Sequence, residues 1–348
     1  MSNANWSGQA CTLKRWQLLS IYMVMLAYAC STSRGLFAAE WKDKAEAEGK
    51  IVFYTTANTS DTKVLTDSFK KIYPKIDIQF DRATDSQMME KILNEARAGK
   101  SLWDVVSTTG FYGYLLKKRG LLAAYDSPER KYFREGFKDP QAFWTSTYTT
   151  YAIFGFNAQL VSKANIPRSH EDLLKPFWKG QVGIEGRAYE WFTATISGMG
   201  KEKGLGFMRA LAAQKPDLRI GRTLLAQLVA AGEFNGTLTS YMHNFDTLKA
   251  SGAPVEWVPL APSFANLHPV GLSAKSPHPN AGKLFIDFML SQKGQEVARA
   301  LRRIPDRTDT PPDPPTLLQG VTPAFTAPDM YDDFDKYIKL FQEIFGVK

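Results

Sequence analysis

In the first third of the chain, short apolar runs alternate with amphipathic ones, and this alternation leaves few folds open. Ile51-Val52-Phe53-Tyr54 is short, continuous and apolar, as a strand buried on both faces should be. The next stretch carries Val64, Leu65, Phe69 and Ile72 at helical spacing, with Ser60 or Asp61 as the expected cap and Pro74 as the stop. Ile76, Ile78 and Phe80 alternate as a second strand. A second helix is predicted from Thr84-Asp85, with Met89, Ile92, Leu93 and Ala96 inward and Gly99 at its end. Val105-Val106-Ser107 is a third strand. Strand–helix–strand–helix–strand implies a parallel sheet wound by right-handed crossovers. Such sheets bind ligands beyond the carboxyl ends of their strands. Here those ends supply Thr56, Asn58, Arg82, Ser107, Thr108 and Thr109.

A chain of 348 residues is too long for one ordinary core. Tyr148 to Phe156 is a β-prone run long enough to pass from one domain to another. Val182-Gly183-Ile184, Thr237-Leu238-Thr239 and Val255 to Val258 read as further strands, among helices expected at 189–199, 204–213 and 223–231. Val270-Gly271-Leu272 is expected to return the chain to the first domain, where a helix from Asn280 packs. The predicted organisation is α/β: a first lobe over 40–150, a second over 151–268, a return over 269–308, and a proline-rich connector with a C-terminal helix over 309–348. Two crossings make a hinge, and closure of the cleft on a ligand follows from it. The second lobe's strand ends and helix starts offer Arg187, Tyr189, Trp191 and Tyr241. Arg82 and Arg187 are expected to face each other and grip a carboxylate or phosphonate bidentately. Phe111, Trp191 and Tyr241 are the candidate apolar walls.

The N-terminus reads as an export signal over residues 1–39. Lys14 and Arg15 precede a mostly apolar run from Trp16 to Ala29, too short for a membrane span. Ala27-Tyr28-Ala29 suits ordinary signal peptidase, and lipidation at Cys30 is the competing route. Both cysteines, Cys11 and Cys30, fall in or beside this leader, so the mature domain is expected to carry no disulfide. The net charge is +8. Without Lys14, Arg15 and Arg34 it becomes 40 basic against 35 acidic residues, a mild bias toward anionic ligands. No dense Lys/Arg stripe with interleaved aromatics supports nucleic-acid binding.

Pro277-His278-Pro279-Asn280-Ala281 leads into Lys283-Leu284-Phe285-Ile286-Asp287-Phe288-Met289-Leu290, with Ile304-Pro305-Asp306-Arg307 beyond. With Val52-Phe53-Tyr54-Thr55-Thr56, Asp104-Val105-Val106, Trp178-Lys179-Gly180 and Gly252-Ala253-Pro254-Val255, in that order, the chain resembles the extracellular solute-binding proteins of ABC importers. It is most similar to the group that includes the ferric-iron-binding proteins. The resemblance implies a two-lobed periplasmic binding protein of type II, with two doubly wound sheet domains and a hinge. It implies a monomer that delivers a small solute to an inner-membrane permease and its ATPase. In the iron-binding members a His or Tyr follows the first strand and paired tyrosines occur late in the second domain. This chain has Asn58-Thr59 and Tyr241-Met242, so iron would rest on Tyr241 with Tyr189, too few ligands for an octahedral ion.

The chain's four histidines, His170, His243, His268 and His278, make no metal-binding spacing, and no nucleophile elbow, P-loop or dinucleotide fingerprint occurs. The expectation is a binding protein without cofactor or catalysis. Ferric-iron binding with a synergistic anion, a ligand-presenting sensor and a secreted enzyme on the same plan are the alternatives.

Overall fold

The fold was obtained as a computed structural model, which describes residues 42–347. The predicted leader, Cys11 and Cys30 lie outside the described residues. Helix α1 (42–48) leads into β1 (Lys50–Thr55), α2 (Thr59–Ile72), β2 (Asp77–Arg82), α3 (Asp85–Arg97), β3 (Val105–Ser107), α4 (Gly110–Lys118) and β4 (Leu122–Ala123). β1 pairs in parallel with both β2 and β3, as the alternation predicts. The cap of α2 is Asn58 rather than Ser60 or Asp61: its side chain accepts the Asp61 N–H at 2.8 Å. The buried stripe of α2 is also rotated from the predicted one. Thr62, Thr66 and Phe69 face inward, while Val64 and Ile72 stand exposed.

β5 (Thr145–Asn157) carries the chain into the second lobe. There β6 (Val182–Glu185), α5 (Tyr189–Met199), α6 (Lys201–Ala213), β7 (Asp217–Arg219), α7 (Arg222–Ala231), β8 (Gly236–Tyr241), α8 (Met242–Ala250) and β9 (Val255–Val258) follow. β10 (Ser263–Ser273) returns it, beginning well before the expected Val270. The strand order is β2-β1-β3-β10-β5-β8-β6-β7. β5 and β10 are antiparallel to each other, and both belong to the two lobes at once. The first half of β5 pairs with β10, while its second half pairs with β8 and β9. Register shifts interrupt β10 at Leu267/Pro269 and β5 at Ile153/Gly155, so each crossing strand is bent where it changes lobe. These two strands are the hinge.

α9 (Pro279–Leu290), α10 (Gln292–Ala300) and β11 (Ile304–Pro305) complete the first lobe. Phe285, Leu284 and Met289 of α9 join Ile51, Phe53, Phe69 and Val105 in its core. Asp104, fully buried, stitches this lobe together. Its carboxylate accepts the backbone N–H groups of Val52 at 2.8 Å and His278 at 2.7 Å, and the Ser276 hydroxyl at 2.6 Å. The chain ends on β12 (Pro323–Ala324), α11 (Pro328–Asp332) and α12 (Phe334–Phe345). The C-terminal helix expected from the sequence is α12, and the short α11 stands before it as a separate turn of helix. α12 sets Tyr337 and Phe341 into the core of the second lobe.

Candidate functional site

Six strand ends converge between the lobes. From the first lobe come Thr55–Asn58 after β1, Arg82–Asp85 after β2 and Ser107–Gly110 after β3. From the second come Glu185–Glu190 after β6, Arg219–Arg222 after β7 and Tyr241–His243 after β8. The hinge strands form the floor with Thr147, Tyr148, Thr150, Asn266 and His268. A pocket with an empty volume of about 510 Å³ opens on the first lobe's side, lined by Thr55, Ala57, Asp61, Ser107, Tyr148 and Arg303 among others.

The charged groups here are tightly arranged. Arg303 bonds Asp61 at 2.7 Å and lies over the Tyr148 ring at 5.7 Å. Arg222 donates to the Thr239 carbonyl and covers the Tyr241 ring at 4.6 Å, while the Tyr241 hydroxyl accepts from Asn266 at 3.1 Å. Burial holds the Tyr241 phenol above its ordinary value, against the pull of Arg222. Asp85 accepts from the Thr108 hydroxyl at 2.7 Å, the Thr109 N–H at 3.1 Å and the Thr109 hydroxyl at 3.2 Å. Glu190, from the second lobe, accepts the N–H of Phe111 across the cleft at 3.2 Å. Burial, with Asp85 nearby, pushes the Glu190 carboxyl up to about 7. Burial also drives His243 down to about 4 and His268 to about 3, with Arg303 adding to both. Both rings are therefore neutral at pH 7, and the positive charge facing the cleft belongs to arginine.

Of the residues singled out in the sequence, Thr56, Ser107, Thr108, Thr109 and Tyr241 are gathered at this cleft. Thr56 donates its N–H to the Ser107 carbonyl, which ties two of the strand ends together. Asn58 caps α2. Arg82 stands exposed, its Nε reaching the Ala57 carbonyl at 3.4 Å. Arg187 is exposed as well, and its backbone N–H bonds Glu185 at 2.8 Å. No contact joins the two arginines among the described residues. Trp191 is 2 % exposed inside the second lobe's core, and Tyr189 packs edge-on against Phe341 at 5.3 Å. Phe111 stacks on Phe334 at 4.0 Å.

The cleft's own arginines, Arg222 and Arg303, escaped the sequence reading, as did Asp85 and Glu190 as acidic groups of the site. Arg222 follows β7, a three-residue polar strand without an apolar run to announce it. Had that strand been seen, the strand-end rule would have found Arg222. Among the described residues, no group of three or more His, Cys, Asp or Glu side chains is placed to hold a metal ion.

Residues 101–329 match the family described as bacterial extracellular solute-binding protein. The chain belongs to that family. The match runs from β3 through both hinge strands to the start of α11, and leaves out α12. In sequence, it is 22% identical over 267 residues to the Fe(3+)-binding periplasmic protein of Serratia marcescens, covering 73% of this chain and 78% of that protein. In structure, it is similar to iron-bound HitA from Pseudomonas aeruginosa, with a TM-score of 0.73, 19% identity, and coverage of 85% of this chain and 99% of the other. It is similar to the same degree to the periplasmic binding protein AfuA from Actinobacillus pleuropneumoniae with fructose-6-phosphate bound. That match has a TM-score of 0.71, 24% identity, and coverage of 86% and 99%. The fold is thus the two-lobed one of periplasmic binding proteins. The chain is a substrate-binding protein of the kind that serves ABC importers.

Proposed function

We propose that this solute-binding protein is exported to the periplasm, closes its two lobes on a small organic anion, and delivers it unaltered to an inner-membrane permease. The observation that carries the anionic reading is the pair Arg222 and Arg303. Both guanidiniums lie at the cleft, and one comes from each side of the hinge. Around them stand hydroxyls and amides, from Thr55, Ser107, Thr147, Thr150 and Asn266, suited to a polar body. A carboxylate, a phosphonate or a sugar phosphate, the last being what AfuA holds, meets this description.

The same geometry weighs against ferric iron as the cargo. Tyr241, the one tyrosine that matches the iron-binding pattern at the cleft, lies under the Arg222 guanidinium at 4.6 Å. A trivalent cation on its oxygen would face that fixed positive charge, and Tyr189 is engaged with Phe341.

The test is calorimetric titration of the mature protein with fructose 6-phosphate, citrate and ferric citrate, beside native mass spectrometry of freshly purified material. Arg222→Ala and Arg303→Ala should each weaken binding of the accepted anion at least tenfold. Unchanged curves for both variants, or a bound iron atom without an organic anion, would sink the reading.

A further inference from the structure

The head of α4 is where the cleft's backbone donors gather, and both of the anions it faces are the protein's own. Asp85, from the same lobe, takes the Thr109 N–H and the hydroxyls of Thr108 and Thr109. Glu190 is different, because it arrives from the first turn of α5 in the opposite lobe and takes the Phe111 N–H. Seventy-nine positions separate the partners in the chain, and the hinge lies between them. A helix head offers unpaired N–H groups and a partial positive charge, so it favours an anion. The second lobe places a carboxylate of its own there.

Among the described residues, no other donor bonds the Glu190 carboxylate. The charged and titratable groups facing it are Asp85 from α3, Arg222 from the start of α7, and the phenols of Tyr112, Tyr241 and Tyr331. Arg222 is occupied by the Thr239 carbonyl and the Tyr241 ring. Asp85 is a like charge. Glu190 therefore has one hydrogen-bond donor, from the first lobe, with Asp85 repelling it and Arg222 attracting it without a hydrogen bond, which makes its hold on Phe111 easy to exchange.

We infer that Glu190 is a built-in competitor for the solute: it closes the empty protein by occupying the Phe111 N–H, and an anionic solute gains that donor only when Glu190 releases it. The competition for an anion rests on the anionic reading above, whereas the latch itself does not. Two consequences follow. Weakly charged or poorly fitting anions fail to displace Glu190, so this residue sets a threshold for what the cleft accepts. Removing its charge lowers the threshold.

The experiment has one arm free of any ligand and one with a stated probe. Hydrogen exchange of the empty protein should show the Phe111 amide protected in the native protein, and at least tenfold less protected in Glu190→Ala. The flanking amides of α4 from Gly113 onward, held by the helix itself, should be unchanged. Equal protection of Phe111 in both proteins would overturn the latch, whatever the cleft binds. Calorimetry with fructose 6-phosphate and with inorganic phosphate forms the second arm. Glu190→Gln keeps the size and an acceptor oxygen but not the charge, and should bind the accepted anion about tenfold more tightly than the native protein. Weaker or equal binding by Glu190→Gln would overturn the competition. If neither protein takes up either anion, the anionic reading fails while the exchange arm still decides the latch.

Discussion

Asp306 illustrates what burial does to a single residue at the hinge. It is 3 % exposed; one carboxylate oxygen accepts the Thr149 hydroxyl of β5 at 2.7 Å, and the other meets no hydrogen-bond donor within bonding distance among the described residues. An unpaired buried carboxylate oxygen favours the protonated form, and burial raises this group from 3.8 to about 7. Because the folded-state value lies above the unfolded one, its contribution to stability is fully present below about pH 4 and is lost as pH rises through 7. Asp306→Asn holds the site neutral at every pH. Its stability should match the native protein near pH 4 and exceed it at pH 8 by something on the order of 2–4 kcal/mol. Urea unfolding at the two pH values checks this; an equal deficit at both would mean that Asn cannot replace the acid in this contact. The neutral histidines work in the opposite sense, losing stability as pH falls below about 6.5, so the comparison must be made between variant and native protein at each pH.

Among the elements, the hinge strands leave the least room. A Cβ added at Gly155, beside the bulge in β5, would sit 2.0 Å from the ring of Phe245, a fully buried residue of α8. Gly155→Ala should therefore cost about 1–3 kcal/mol through overpacking. Gly206→Ala, in α6 where nothing lies within 4 Å, should gain up to about 1 kcal/mol. Urea midpoints of the two variants moving in the same direction would contradict this packing. The legibility of the elements follows their chemistry. β1 and β3 could be read because their apolar residues run unbroken, α3 because its apolar residues recur at the helical period, and α5 was bounded correctly by its own pattern. β10 was not, since Asn266, His268 and Pro269 interrupt its apolar run at the point where it crosses between lobes. A strand buried among polar floor residues carries no alternation. β7 and α8 were missed for want of apolar runs, and Arg222 with them. Tyr241 was placed because β8 is a clear strand and its end is a clear end.

At the scale of the whole molecule, the C-terminal segment belongs to both lobes. Phe341 anchors α12 in the second lobe, edge-on to Phe192 at 5.5 Å. The end of α11 and the first residue of α12 reach the first lobe: Phe334 stacks on Phe111 at 4.0 Å, Tyr331 on Tyr114 at 5.3 Å, and Asp332 pairs with Lys118 and the Tyr114 hydroxyl. The ion pair is half exposed on both sides, and such pairs contribute from nothing to about 1 kcal/mol. The Phe111–Phe334 stack is the stronger tie, worth about 0.5–1.5 kcal/mol beyond the area it buries. It also holds the residue whose N–H Glu190 accepts, so the two contacts close the cleft from the same point. Phe334→Ala should shift the ligand-free protein toward the open form, seen as a larger radius of gyration by X-ray scattering with unchanged far-ultraviolet dichroism. Lys118→Ala should leave the radius as it was. If the two variants scatter alike, the aromatic stack does not govern closure. If Phe334→Ala opens the protein as far as Glu190→Ala, both act through the position of Phe111 and the double variant should open it little further.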